Sequence, residues 1–377
     1  MIYTKFQEII GTKHPIIQAG MGPYSTKNLC IAAAKAGALG LISTVGMVPG
    51  VVTPKKATEL VFGTGAPKDV FKETIEQIYE AIKDTPGAKF GANIPVSKEF
   101  TEEARVFVEV VIEILEERPE IKEQFVAIVT SAGDPLPWAI NAQDKGAKQI
   151  LTPIKERLPD IVWIHVCPSV RGAKRAEKAG VDMVVASGRE GGAHCAWRDA
   201  SSMVLLPETV KSVNVPVVGA GGYSDGASLV AALALGAIGI QMGTRFIATQ
   251  ESDFEEKWKN ALIDKAETET IVARGIFGPM RFIRNDMSLR LVNETISNAS
   301  DLYRGVPCQS TPGIFELEME GFEKLMGSYS CDDALVLGGV VTGRIHSIPT
   351  VRELIEDISR EAETIISGLP KMIKNHD

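Results

Sequence analysis

Two stretches decide the fold: Pro216-Val-Val-Gly-Ala-Gly-Gly-Tyr-Ser-Asp-Gly226 and Gly239-Ile-Gln-Met-Gly-Thr-Arg-Phe246. In each, a short apolar run ends in glycine and opens into a helical pattern. Gly221 and Gly222 can take positive φ, so successive N–H groups can point into one concavity. Ser224 or Asp225 can cap the helix that follows. Gly243 and Thr244 would present N–H and hydroxyl donors at another helix start. Either loop alone is equally well a tight turn. As a pair on consecutive parallel strands they read as a phosphate cradle of the kind barrels place after strands seven and eight.

Outward from these loops the same unit repeats. Short runs rich in Ile and Val occur at Pro15–Gln18, Leu39–Ser43, Lys89–Ile94, Phe125–Val129, Ile161–Val166, Asp182–Ala186, Val215–Gly219 and Ile238–Met242. They lack polar alternation, as expected of parallel strands buried on both faces. Helical patterns lie between them at Thr26–Lys35, Lys72–Ile82, Thr101–Glu117, Ser169–Ala179 and Ser224–Leu235, and Gly37 and Gly180 stand where helices should stop. Eight βα units in about 250 residues predict an α/β fold, a TIM (β/α)8 barrel. An open doubly wound sheet competes. It would carry its phosphate loop in the first turn, where Ala19-Gly20-Met21-Gly22-Pro23 has no G-x-G-x-x-G.

The rhythm changes after Ser252. Residues 253–333 are more polar, with helical patterns at Phe254–Ala261 and Ile314–Met326. This predicts an inserted, mainly helical lid domain. Val336–Val341 then leads back to an amphipathic last barrel helix at Thr350–Ile366. The expected division is residues 1–252 and 334–377 for the barrel and 253–333 for the lid.

The 377 residues, with 45% hydrophobic and 23% charged, are those of an ordinary globular chain, not a disordered one. Forty Lys+Arg against 48 Asp+Glu give a formal charge of −8, which argues against nucleic acid as partner but not against a phosphate held by backbone donors. The five cysteines, Cys30, Cys167, Cys195, Cys308 and Cys331, show no C-x-x-C spacing and read as reduced thiols in a cytoplasmic protein. No signal-peptide core opens the chain. The longest apolar run, Leu229 to Ile240, falls short of the roughly 20 residues of a membrane span. Histidines lack metal-binding spacing, so no metal is expected.

After strand six comes Ala186-Ser-Gly-Arg-Glu-Gly-Gly-Ala-His-Cys-Ala196, on the functional face of a barrel. Its His194 is the only histidine in a glycine-rich loop and can exchange a proton with a ligand over the barrel mouth. The plain alternative is a structural imidazole bonded to a loop carbonyl. Glu190 could orient His194 or hold the loop. Cys195 lacks a separate base, which favours simple packing over a thiol mechanism. His14 falls on the stability face, and His165 reads as a satisfied core residue.

The assembled motifs resemble the nitronate monooxygenase family, formerly 2-nitropropane dioxygenases, and its relative the flavin-dependent enoyl-ACP reductase. The matching stretches are Pro15-Ile-Ile-Gln-Ala-Gly-Met-Gly, Phe90-Gly-Ala-Asn-Ile, Gly188-Arg-Glu-Gly-Gly-Ala-His, Val217-Val-Gly-Ala-Gly-Gly-Tyr-Ser-Asp-Gly, Gln241-Met-Gly-Thr-Arg-Phe-Ile-Ala-Thr-Gln-Glu-Ser, Arg281-Phe-Ile-Arg-Asn and Ser347-Ile-Pro-Thr-Val-Arg-Glu-Leu. They run over nearly the whole chain. The resemblance implies FMN at the barrel mouth under a lid, with Ala19, Gly20 and Met21 along the ring and Asn93 in contact with it. It implies that Gly192, Gly221, Gly222, Gln241, Met242, Gly243 and Thr244 hold the phosphate and ribityl tail, with His194 as catalytic base. Three positions depart from the family pattern. Gly20 stands where Pro is usual, Ser187 where a flavin-contacting Gln is common, and Gly339-Val340 where Gly-Gln is frequent. The stretch from Val51 to Lys89 is also longer than expected. The cradle loops resemble those of inosine monophosphate dehydrogenase too, but that family's nucleophilic Cys loop is replaced here by Gly188-Arg-Glu-Gly-Gly-Ala-His.

These implications yield three expectations. The first is FMN-dependent oxidation of a nitronate or nitroalkane with O₂, with His194 as base. The second is an FMN reductase that uses NADH or NADPH to reduce an enoyl thioester or quinone. The third is a flavin-binding protein without turnover. The expected partner is a small-molecule substrate, with no nucleic acid and no membrane. Lid helices could also pair two subunits into a homodimer.

Overall fold

The protein is described from a computed structural model covering residues 1–51, 53–197, 200–263, 265–299, 309–327 and 329–372. Cys308 and His376 lie outside the described residues, as do 264, 300–308 and 328 of the expected lid.

The strands are β1 (Ile16–Gln18), β2 (Leu39–Ser43), β3 (Lys89–Pro95), β4 (Phe125–Ser131), β5 (Val162–Cys167), β6 (Met183–Ser187), β7 (Ala193–His194), β8 (Val217–Ala220), β9 (Ile240–Met242), β10 (Thr270–Arg274) and β11 (Pro279–Ile283). All but β7, β10 and β11 form a closed parallel barrel, with β9 returning to pair with β1 through Ile16 to Ile240 and Gln18 to Met242. The eight expected runs are these eight barrel strands, each with bounds within two residues. The fold is therefore the α/β TIM barrel that the sequence predicts. Alternate residues of each strand face the barrel axis, where Ile17, Leu41, Val129, Ile164, Val185 and Val218 pack as an interior core. The other face of each strand meets the helices in a larger cluster, which is why no polar alternation shows in the sequence.

Phe6 and Ile10 close the bottom of the barrel from the helix Lys5–Ile10. Thr4 and Gln7 start that helix with a reciprocal capping box. At the other end of the chain Thr350 and Glu353 do the same for the helix Val351–Gly368. Its apolar side covers the helix Gly226–Ala234. The two backbones approach so closely that a Cβ on Gly226 would meet Ala362 N at 2.5 Å. The long stretch before β3 holds two helices, Lys55–Phe62 and Pro67–Ile82.

Between β9 and the last helix the chain forms the helices Glu256–Leu262, Asp286–Ser297 and Pro312–Met326. The insert is mainly helical, as expected, and it also carries two strands. β10 and β11 form an antiparallel hairpin, and β11 pairs in turn with β7 of the histidine loop. The hairpin escapes a periodicity reading because Pro279 opens β11, whose five residues are all buried, and β10 is only half-buried. This segment has its own apolar cluster around Trp258, Phe282, Leu291 and Phe322. Tyr24, Ala57 and Ile247 join it from the barrel side, so the extra helix Lys55–Phe62 packs under the insert. Among the described residues no helix is long and apolar enough to cross a membrane.

Candidate active site

The C-terminal ends of the strands and the underside of the insert enclose a cavity of about 320 Å³. All of the residues expected at the site line it: Ala19, Gly20, Met21, Asn93, Ser187, Gly192, His194, Gly221, Gly222, Gln241, Met242, Gly243 and Thr244. The sequence reading missed the opposite wall. Phe277, Met280 and Phe322 come from the insert, and Leu337 and Gly338 from the returning chain. Their only sequence signal is an aromatic and Met content that core packing explains equally well.

The cradle is built as the glycines require. Gly221 and Gly222 both have φ of 86°, a conformation that costs a side-chain-bearing residue about 1–2 kcal/mol. The N–H groups of Gly221, Gly222 and Tyr223 have no acceptor among the described residues. Asp225, not Ser224, caps the following helix. It accepts from Ser228 N at 2.9 Å while Ser228 Oγ accepts from Asp225 N. That helix start is therefore already satisfied, and the free donors belong to the glycine turn. After β9 the helix is a single turn, Thr244–Ile247. Thr244 Oγ1 accepts from Gly339 N at 3.0 Å, which leaves its proton to donate.

Two of the three departures, Gly20 and Gly339-Val340, have a visible packing role. A Cβ on Gly20 would lie 2.2 Å from Asn93 Cβ, so the glycine makes room for Asn93. Asn93 Nδ2 donates to Val129 O and Ser131 Oγ, which fixes the amide at the mouth. Ser187 ends β6 at the cavity edge. Val340 N donates to Glu190 O at 2.9 Å, and a Cβ on Gly339 would meet the same oxygen at 2.6 Å. The returning chain thus lies flush against the histidine loop.

That loop is held from several sides. Glu190 Oε2 accepts from Ser202 N and Ser202 Oγ, so it holds the loop and does not orient the imidazole. Arg281, buried on β11, donates from Nε and Nη2 to Arg189 O at 3.2 and 2.9 Å and from Nη1 to Thr270 Oγ1. Met280 and Arg281 pair with His194 and Ala193, and Cys195 N donates to Pro279 O. Among the described residues no group takes a hydrogen bond from the His194 imidazole. Its ring lies 6.4 Å from the Phe277 ring, and the residue is exposed where it lines the cavity. Desolvation by the protein packed around it, with the Arg274 guanidinium nearby, lowers its pKa to about 4, a shift that water entering the cavity to this exposed residue reduces. The imidazole is therefore neutral at pH 7.

Among the described residues, the other histidines do not reach the cavity lining. His165 is buried, with Nδ1 2.8 Å from Thr130 Oγ1, and desolvation lowers its pKa to about 4. His14 bonds Ser359 Oγ beside the last helix and is likewise lowered to about 4 by burial. Burial pushes the Cys167 thiol up to about 12, the opposite of an activated thiolate. No group of three or more metal-ligating side chains occurs among the described residues.

A flavin phosphate fits these residues. The cradle offers unpaired backbone donors beside two left-handed glycines, and Gln241 Oε1 is buried without a partner on the same wall. A buried acceptor left unpaired costs about 1–3 kcal/mol, so a ligand N–H or O–H at that point would be favoured.

The architecture is that of a TIM-barrel protein with a ligand cavity at its C-terminal mouth. The chain matches the nitronate monooxygenase family over residues 4–361. It is 30% identical over 302 residues to a probable nitronate monooxygenase of Staphylococcus saprophyticus, covering 75% of this chain and 79% of that one. It is 28% identical over 293 residues to a (3aS,4S,5R,7aS)-5-hydroxy-7a-methyl-1-oxo-octahydro-1H-indene-4-carboxyl-CoA dehydrogenase of Rhodococcus jostii, covering 75% of this chain and 66% of the other. Among solved structures it superposes on FabK from Thermotoga maritima with a TM-score of 0.74 and 25% identity, over 99% of this chain and all of the other. The chain belongs to the nitronate monooxygenase family and is a flavin-dependent oxidoreductase. Family membership sets aside the expectation of a flavin carrier without turnover.

Proposed function

We propose that the protein is a cytoplasmic FMN-dependent enzyme of the nitronate monooxygenase type, with residues 253–333 as its lid. It would oxidise a small nitroalkane or nitronate with O₂. The observation that carries this reading is a neutral imidazole, His194, with no hydrogen-bond partner among the described residues, facing one cavity that also holds the glycine cradle. FMN is preferred to FAD because the cradle serves a single terminal phosphate and no G-x-G-x-x-G turn is present. When bound, FMN supplies the electron acceptor and the link to O₂. Gly221, Gly222, Gly243 and Thr244 would hold its phosphate and tail, and Ala19, Gly20, Met21 and Asn93 its ring. His194 is unprotonated at pH 7 and can take the proton of a carbon acid. Its N–H can then hold the resulting anion. Apolar side chains from the insert, Phe277 and Phe322, would keep water from that anion.

The likeness to FabK and to a carboxyl-CoA dehydrogenase favours a second reading. NADH or NADPH would be the reductant and an enoyl thioester or quinone the acceptor, with His194 as proton donor. Anaerobic mixing of the yellow protein separates the two. Rapid bleaching by a nitronate with little effect of NADH or NADPH supports the first reading, and the reverse supports the second. Protein that neither carries nor takes up FMN would defeat both.

A further inference from the structure

The mechanism above makes no use of Glu318, yet this carboxyl is among the most enclosed on the molecule, only 1% exposed. It sits mid-helix in Pro312–Met326, one turn before Phe322, so the two share the helix face that looks toward the cavity. Glu318 Oε2 accepts from Ile276 N at 2.5 Å. Ile276 belongs to the turn between β10 and β11, closed by Gly275 N donating to Gly278 O at 2.7 Å. The next residue is Phe277, which lines the cavity beside His194. Gly275 has a matching role. A Cβ there would lie 2.8 Å from Glu318 Oε2 and 2.5 Å from Met280 Sδ. Only glycine lets the carboxyl reach the turn.

We propose that Glu318 is a positioning residue that latches the 275–278 turn and so fixes Phe277 against His194 on the substrate side of the cavity. A turn of this kind, half-exposed at Ile276 and Phe277, would otherwise move at small cost, because among the described residues its other polar ties are one backbone hydrogen bond and a long contact of 3.5 Å from Arg274 Nη2 to Ile276 O. The latch does not depend on the charge of the carboxyl. Burial pushes Glu318 up to about 7, with Arg274 the nearby charge that opposes this. Protonated or not, the group keeps an oxygen that can accept from Ile276 N–H. The inference rests on the reading of the His194 wall as the substrate side.

The test pairs Glu318→Gln, which keeps an acceptor, with Glu318→Met, which keeps the volume and removes it. Amide hydrogen exchange over residues 275–278 is measured on the flavin-loaded protein, with flavin affinity and steady-state kinetics alongside. In Glu318→Met the Ile276 amide should exchange about tenfold faster, the scale expected for loss of one hydrogen bond to a charged or strongly polar group. KM for the substrate should rise while flavin affinity stays unchanged, and Glu318→Gln should restore both exchange and KM. Unchanged exchange in Glu318→Met overturns the latch, as does a Gln variant as impaired as the Met variant. Changed exchange with unchanged KM overturns the link to the substrate side, while the anaerobic bleaching of the wild-type protein reports separately on the proposed function. Should Glu318→Met fail to fold, Gly275→Ala drives the same carboxyl away from the turn and must produce the same exchange pattern.

Discussion

At the scale of single residues, the neighbours of His194 make its chemistry legible. Ala193, the preceding residue, has φ of 59°, a left-handed conformation that a non-glycine residue adopts at a cost. The strain is borne because β11, Arg281 and Glu190 fix the loop on three sides. With a pKa of about 4, the imidazole is ready to accept a proton through the neutral range but is a weak base. His194→Asn separates its two roles, since Asn keeps an N–H donor and cannot take the proton. With a nitroalkane as substrate, kcat/KM should fall by about 10²-fold or more. With a preformed nitronate the loss should be much smaller, and flavin binding should be unchanged. Equal loss with both substrates would remove the base role and leave only anion binding. In the wild-type protein the nitroalkane reaction should be insensitive to this group above pH 5 and fall as pH drops through about 4 and the imidazole becomes charged.

At the scale of elements, the informative seam is the one between β7 and β11. The eight barrel strands were legible because both of their faces are buried, which leaves unbroken apolar runs that end in glycine. The cradle and histidine loops were legible because glycine, Ser, Thr and His in those positions have few other uses. The insert was legible only as a loss of rhythm. Its hairpin gains its pairing from a two-residue strand 85 positions or more away, and no local pattern in Ala193-His194 announces a strand. The same is true of Phe277 and Phe322, which read as core until the fold sets them over the cavity. The seam hangs on Arg281, which is 7% exposed and whose guanidinium spans Arg189 O and Thr270 Oγ1. Arg281→Met should lower unfolding stability by about 2 kcal/mol, the scale for buried hydrogen bonds from a charged group. It should also lower turnover by freeing the His194 loop. Arg281→Lys should not restore either property, since a point ammonium cannot span two acceptors as the fork does. Denaturant midpoints and kcat at one temperature check both; a full rescue by Lys would show that the charge matters and the fork does not.

At the scale of the whole molecule, burial of titratable groups ties stability to pH. His14, His165 and His194 all have pKa values lowered to about 4, mainly by desolvation, against 6.5 in an unfolded chain. Between pH 4 and 6.5 the unfolded chain therefore binds protons that the folded one refuses. The stability these groups contribute is complete above pH 6.5 and is lost as pH falls through that window. Glu318 works the other way. Its folded pKa of about 7 lies above the usual carboxylate value, so its contribution is lost as pH rises from about 4.5 to 7. The two buried histidines, His14 and His165, already outweigh one carboxyl, and the exposed His194 adds a smaller share, so the protein should become more stable from pH 4.5 to 6.5. Each proton is worth about 1.4 kcal/mol per pH unit of slope. The His194 share can be isolated, because Asn at this position does not titrate. Stability measured by denaturant at half-unit steps across the window should rise less steeply in His194→Asn than in wild type, by less than one proton's slope, because the imidazole is exposed to the cavity and solvent screens part of the shift. Parallel curves would show that the cavity wets His194 in solution enough to restore an ordinary imidazole, and the nitroalkane reaction would then fall as pH drops through about 6.5 and not through about 4.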